Sequence, residues 1–260
     1  MTVLQELESA EFGDRLRAIE QLTDRNSIDD SELGALAACL GHPRKIVQRR
    51  AAEACAILSA RGVAVRGILI ARLAAAAPRE RWGAAFALSL LAAPPVEALP
   101  VLLASLGTGD GDIRWAAANI IVRMKGTEGL VDALRRAMAS SNAAQRKMAA
   151  YCLRDLDARS PAVEHQMFGA LDDPDPGVRM AAMSSLVRLS TNRAGVSQRV
   201  IDLLSDASPG VRRAAAVVLG VLGDRSDAVR SALHAAAASS DPSLQRAADR
   251  SLRLLEESCL

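Results

Sequence analysis

Residues 205–222 read SDASPGVRRAAAVVLGVL. The first six positions are breaker chemistry, Asp, Ser, Pro and Gly in quick succession, and the next twelve are amphipathic and rich in alanine. With Val211 as position 0, Ala215, Leu219 and Leu222 fall at positions 4, 8 and 11, which is one stripe along a helix. The register recurs along the chain: DRLRAIEQLTDR from Asp14, VQRRAAEACAIL from Val47, ERWGAAFALSLL from Glu80, IRWAAANIIVRM from Ile113, QRKMAAYCLRDL from Gln145, VRMAAMSSLVRL from Val178 and LQRAADRSLRLL from Leu244. Successive starts lie 33 residues apart, with a single interval of 32. Position 4 is alanine in all eight segments: Ala18, Ala51, Ala84, Ala117, Ala149, Ala182, Ala215 and Ala248.

A second amphipathic segment precedes each of these, as in ALPVLLASL at 98–106, GLVDALRRAM at 129–138 and VSQRVIDLL at 196–204. Turns such as GTGDGD at 107–112, DDPDPG at 172–177 and SSDPS at 239–243 separate the two. Each unit is therefore helix, turn, helix, turn, and one pair cannot bury both of its faces, so pairs must stack. Composition agrees. Half of the residues are hydrophobic but only 2% are aromatic, and alanine has the best intrinsic helix propensity. A net charge of +2 gives no bulk attraction for polyanions. The cysteines at 39, 55, 152 and 259 show no metal-type spacing, and the first three sit in apolar stretches as buried thiols would, which suits a reducing compartment. The N-terminal residues have no signal-peptide pattern, and Pro94-Pro95 interrupts the uncharged stretch from Trp82 to Val96 before it reaches membrane-spanning length. A cytoplasmic protein that does not enter a membrane is expected. Three lysines among thirty-two basic residues is the arginine bias of a GC-rich bacterial gene.

The ankyrin and tetratricopeptide signatures are absent, although both repeats have nearly this period. The turn aspartates followed six places later by arginine, Asp173 with Arg179 and Asp206 with Arg212, together with Arg15, Arg81, Arg114 and Arg146 at position 1, resemble the HEAT-repeat family. The likeness is to its short bacterial form, which includes the HEAT-like repeats of phycobilisome lyase subunits. It implies an all-α fold: a right-handed α-solenoid of eight helix-turn-helix repeats of about 33 residues, forming one domain over residues 1–260. Repeats would start near residues 2, 29, 62, 94, 127, 160, 194 and 226. The resemblance further implies that the aspartate–arginine pairs tie turns to neighbouring repeats. Repeats three, four, five and eight lack the aspartate at its usual place, so an interrupted ladder is expected. The second helix of each pair would line the concave side.

On that helix, positions 2 and 6 lie off the core stripe and are expected to face the groove. Four of the chain's six aromatic residues fall there, Trp82, Phe86, Trp115 and Tyr151, in three consecutive repeats. Asn119 would sit among them, Met148 and Met180 on the flank, Arg49 and Arg50 on one border, and Lys147 and Arg213 on the other. Trp, Tyr and Arg most often carry binding energy at interfaces. The rings either form a partner site or lean into seams between inner helices, and the first reading makes the chain a non-catalytic scaffold or adaptor gripping a protein or peptide. Nucleic-acid binding is the alternative, by likeness to HEAT-like alkylpurine DNA glycosylases, with Arg49, Arg50, Lys147, Arg213 and Arg246 on phosphates. An accessory role beside a chromophore lyase is a third. No enzyme activity, cofactor or metal is expected: His42, His165 and His234 lie in distant repeats, without the paired His-Glu motifs of HEAT-like di-iron hydroxylases. Acidic runs at Asp29-Asp30 and Asp172-Asp173 sit at turns or helix starts, where carboxylates cap amides.

Overall fold

A computed structural model describes residues 2–25 and 27–257, so Cys259 and Leu260 lie outside the described part. All regular structure in it is helical: α1 (Val3–Leu7), α2 (Phe12–Thr23), α3 (Asp30–Cys39), α4 (Lys45–Ala60), α5 (Val65–Arg72), α6 (Pro78–Leu91), α7 (Leu99–Ser105), α8 (Gly111–Arg123), α9 (Leu130–Ala137), α10 (Ala143–Asp155), α11 (Pro161–Gly169), α12 (Pro176–Leu189), α13 (Arg193–Asp202), α14 (Pro209–Leu222), α15 (Asp227–Ala237) and α16 (Pro242–Glu257). Short 3₁₀ turns at Val96–Ala98, Ala170–Asp172 and Leu203–Ser205 complete the set. The chain is an α-solenoid that packs as two compact units, divided between Thr127 and Glu128.

Within each unit the even-numbered helices pack in a row and the odd-numbered helices cover them, α3 on α4, α5 on α6, α11 on α12 and α15 on α16 among them. Each repeat start read from the sequence is the third residue of an even helix. All eight position-4 alanines are completely enclosed, and position 8 is enclosed from Leu22 through Leu219. A methyl group at position 4 is small enough for helices to close on it, and the larger neighbours fill the space to either side. Asp29, Asp110, Asn142, Ser160, Asp175, Asn192 and Ser226 cap helix starts with their side chains. Pro78, Pro161, Pro176 and Pro209 begin helices, where the missing amide proton is not needed.

The position-1 side chain does one job in the first seven repeats. It reaches back to the backbone carbonyl six residues earlier: Arg15 to Ser9, Gln48 to His42, Arg81 to Ala75, Arg114 to Thr108, Arg146 to Ser140, Arg179 to Asp173 and Arg212 to Asp206, at 2.6–2.9 Å. This closes the turn before each even helix from α2 to α14. In the second unit the same arginines also reach forward to a carboxylate of the next turn: Arg146 to Asp173 through two bonds of 2.8 Å, Arg179 to Asp206 at 2.7 Å and Arg212 to Asp241 at 3.3 Å. The ladder therefore continues into the eighth repeat, because Asp241, two places later than the usual position, takes up Arg212. Burial pushes Asp173 and Asp206 up, but the Arg146 and Arg179 guanidiniums and the amides of Asp175 and Ser208 outweigh it and hold both carboxyls below their ordinary range. The amides of Ser243 and Leu244, aided by Arg212, do the same for Asp241.

Cys39, Cys55 and Cys152 are buried free thiols, and burial pushes Cys55 and Cys152 up to about 12. No described helix is long and apolar enough to cross a membrane. At the C-terminal end, Leu255 is buried while Leu254, Glu256 and Glu257 are exposed.

Two close approaches between helices leave little room for a side chain. A Cβ on Gly220 of α14 would stand 2.6 Å from the Ser251 hydroxyl of α16, and one on Gly83 of α6 would stand 2.3 Å from the Leu40 carbonyl oxygen. Gly220→Ala and Gly83→Ala are each expected to cost about 1–3 kcal/mol in urea unfolding, since a packed backbone yields little. Gly67→Ala on α5, where a Cβ meets nothing within 4 Å, should be neutral or stabilising. Equal effects at all three sites would contradict this account of the packing.

Acid should act through the ladder. Carboxyls held low in the folded chain lend stability that is complete above the unfolded value near 3.9, and it is lost as pH falls through their folded values. The urea midpoint of the second unit's transition should fall between pH 5 and about 2. Asp173→Asn with Asp206→Asn should flatten that fall, which unfolding at stepped pH would read directly.

Candidate functional site

The first unit contains a pocket where three even helices meet. Lys45, Gln48 and Arg49 come from α4, Trp82, Gly83 and Phe86 from α6, and Asp112, Ile113 and Ala116 from α8. It has a volume of about 140 Å³, and its floor is carbon-rich. It forms because α6 packs closely on α4 and only loosely on α8, which leaves the seam open. The Trp82 and Phe86 rings, four residues apart on α6, stack with centroids 5.8 Å apart and planes at 30°. A second cavity of about 370 Å³, which also touches Lys45, Gln48, Trp82 and Ile113, lies toward the turns and reaches Arg79, Arg81, Val101 and Thr108.

Lys45 spans the opening. Its ammonium sits 2.7 Å from Asp110 and 2.8 Å from Asp112, sixty-odd residues along the chain, so the second repeat is tied to the fourth past the third. Asp110 is also the cap of α8 and accepts from the amides of Asp112 and Ile113 at 3.0 and 3.4 Å. The Lys45 hydrogen bond is the largest influence holding Asp110 below the ordinary carboxylate range, and in return the two aspartates hold Lys45 above its own. Sequence reading missed this clasp, because GTGDGD reads as a turn and nothing in the repeat pattern links positions two repeats apart.

The expected groove residues divide by position. Position 6 points outward: Glu20, Glu53, Asn119, Val217 and Arg250 are exposed, and Phe86 and Tyr151 partly so. Position 2 is divided: Arg49, Trp115, Arg213 and Arg246 are exposed, whereas Trp82, Lys147 and Met180 lean across the seam toward the start of the next even helix. Trp82 is only 8% exposed and packs toward Ile113, Lys147 lies beside Gly177, and Met180 beside Gly210. The expectation that Trp82 is an exposed groove residue is therefore corrected: it is the floor of a seam. Met148, at 1% exposure, is core and cannot flank a surface patch. It sits at position 3, one place round the helix from the groove. Trp115 is the exception among position-2 rings, with 51% of its surface open. Arg49, Arg50 and Arg213 are exposed, Arg50 pairing with Glu53 at 3.1 Å. Tyr151 in the second unit lies under Arg154, whose guanidinium carbon is 4.7 Å from the ring centre. Among the described residues no three His, Cys, Asp or Glu side chains gather as a metal site.

Stacked helix pairs in each unit, with outward chemistry on the even-numbered helices, define the class of helical-repeat solenoids. Comparison finds a likeness to HEAT-repeat proteins: a family model described as HEAT repeats matches residues 67–154. No curated protein matches the sequence. Among solved structures the chain is similar to Kap95p, seen with RanGDP, at 12% identity and a TM-score of 0.65 over 97% of this chain and 41% of that one. It is also similar to Kap121p, at 13% identity and a TM-score of 0.59 over 98% and 37%. The E. coli protein YibA matches at 16% identity and a TM-score of 0.60 over 98% and 91%. These likenesses establish the fold alone.

The burial of the two tryptophans sets an optical prediction. Acrylamide should quench Trp115 readily and Trp82 poorly, so Trp115→Phe removes most of the quenchable emission and Trp82→Phe leaves it. Lys45→Ala, by removing one wall, should raise quenching of Trp82 in the Trp115→Phe background. If that signal stays protected, Lys45 is not a wall of the pocket in solution.

Proposed function

We propose that this chain is a non-catalytic scaffold or adaptor that holds a partner protein or peptide on its row of even-numbered helices. The observation that carries the reading is Trp115, a half-exposed indole on α8 beside a carbon-lined pocket. Large exposed aromatics are unneeded in a core of alanine and leucine, and they are the side chains that most often anchor partners. In the first unit the contact surface consists of Trp115, Asn119, Phe86 and Arg49, with Trp82 as the floor beneath. In the second unit Tyr151, Lys147, Met180 and Arg213 offer a separate mixed surface.

A second reading rests on Arg213, Arg246 and Arg250, which are exposed on α14 and α16 and have no carboxylate partner among the described residues. Such arginines suit phosphates. The experiment separates the two. The immobilised wild type and a Phe86→Ala/Trp115→Ala variant, matched by circular dichroism, are exposed to a lysate of the source organism with and without nuclease. Loss of a captured protein from the variant, regardless of nuclease, is the expected result. Capture that nuclease abolishes favours the arginine surface, and identical capture by both proteins sinks the aromatic one.

A further inference from the structure

The pocket between α4, α6 and α8 has a volume close to that of an engineered apolar cavity of about 150 Å³ that accepts a benzene molecule. It therefore has room for one leucine-sized group and too little for an indole. Its lining includes Trp82, Gly83, Phe86, Ile113 and Ala116 together with Gln48, whose side-chain amide is already bonded to the His42 carbonyl, and no charged residue of the lining is buried. The rim is polar and uneven. Lys45 is committed to Asp110 and Asp112, and these two carboxylates are in turn satisfied by Lys45 and, for Asp110, by the first amides of α8. Arg49 is different. It is exposed, lines the pocket, and has no ion pair or hydrogen bond among the described residues. One apolar socket with one uncommitted guanidinium beside it is the complement of an apolar side chain with a carboxylate next to it.

The geometry points to a specific occupant: a leucine of an acidic partner segment, inserted between Phe86 and Ala116, whose neighbouring glutamate or aspartate pairs with Arg49. This rests on the scaffold reading for its biological meaning, but not for its chemistry. Burying a leucine side chain raises affinity roughly ten- to a hundredfold, so the leucine supplies most of the affinity. A rim ion pair in water adds less and sets the preference for acidic sequences.

The probe is a set of three blocked dipeptides, acetyl-Leu-Glu-amide, acetyl-Leu-Lys-amide and acetyl-Ala-Glu-amide, titrated into full-length Trp115→Phe protein with Trp82 emission as the signal. Acetyl-Leu-Glu-amide should saturate with a Kd on the order of 1 mM, as suits so small a ligand. Acetyl-Leu-Lys-amide should bind about three- to fivefold more weakly at low salt. Acetyl-Ala-Glu-amide should bind at least about tenfold more weakly. Arg49→Glu, a surface change that leaves the fold alone, should reverse the Glu-over-Lys preference. Equal binding of all three, no saturable response, or an unchanged preference in Arg49→Glu each overturns the inference. The lysate capture above separates the two proposals. Partner loss in Phe86→Ala/Trp115→Ala without dipeptide binding leaves the scaffold and removes the leucine socket. The expected dipeptide pattern with unchanged capture keeps the socket and removes the scaffold reading for this face.

Discussion

The close approach of neighbouring helices over an enclosed methyl group underlies the rest of the structure. Every even helix brings an alanine to the same place, and each of the eight is sealed from solvent. A larger side chain there would hold the helices apart, and the rows would lose the contacts that let a pair without a core of its own remain folded. The arginine or glutamine three residues earlier works on the same junction from outside, tying each turn to the helix that follows it. Alanine sets the distance and position 1 sets the angle at which the chain enters.

The two units use this device differently. In the second, arginines at position 1 reach both their own turn and the next, so Arg146, Arg179 and Arg212 with Asp173, Asp206 and Asp241 make a continuous half-buried ladder. In the first, Arg81 and Arg114 bond backbone carbonyls only, Arg61, Arg72 and Arg123 reach carbonyls of neighbouring repeats, and the Lys45 clasp passes over the third repeat. The loosest seam between successive even helices of the first unit, α6 against α8, lies under that clasp, and it is where the aromatic pocket opens. Relaxed packing, two stacked rings and an uncommitted arginine coincide there, and the functional proposal is drawn from that coincidence.

Much of this was legible in the chain. The 33-residue period located the third residue of every even helix, and the breaker turns located the starts. The position-6 residues of the candidate surface were also readable, because a residue two positions past the enclosed alanine must turn outward on a helix. The position-2 residues were not. Trp82, Lys147 and Met180 lie between outward and inward, and whether such a side chain is open or covered depends on the neighbouring helix. Met148, one place further round, is core for the same geometric reason that Ala149 is. The rung into the eighth repeat was missed because Asp241 stands off the usual spacing, although a side chain as long as arginine tolerates the shift.

Local and periodic information is carried by the chain itself: which residues are helical, which stripe is buried and which carbonyl each position-1 side chain meets, since all of these act within six or so residues or repeat with the period. What depends on the spacing between helices was decided only in three dimensions. That one tryptophan floors a pocket while its counterpart a repeat later stands half open, and that Lys45 meets two aspartates across an intervening repeat, follow from how tightly particular helices pack. Those distances arise from many side chains acting together, and no single repeat encodes them.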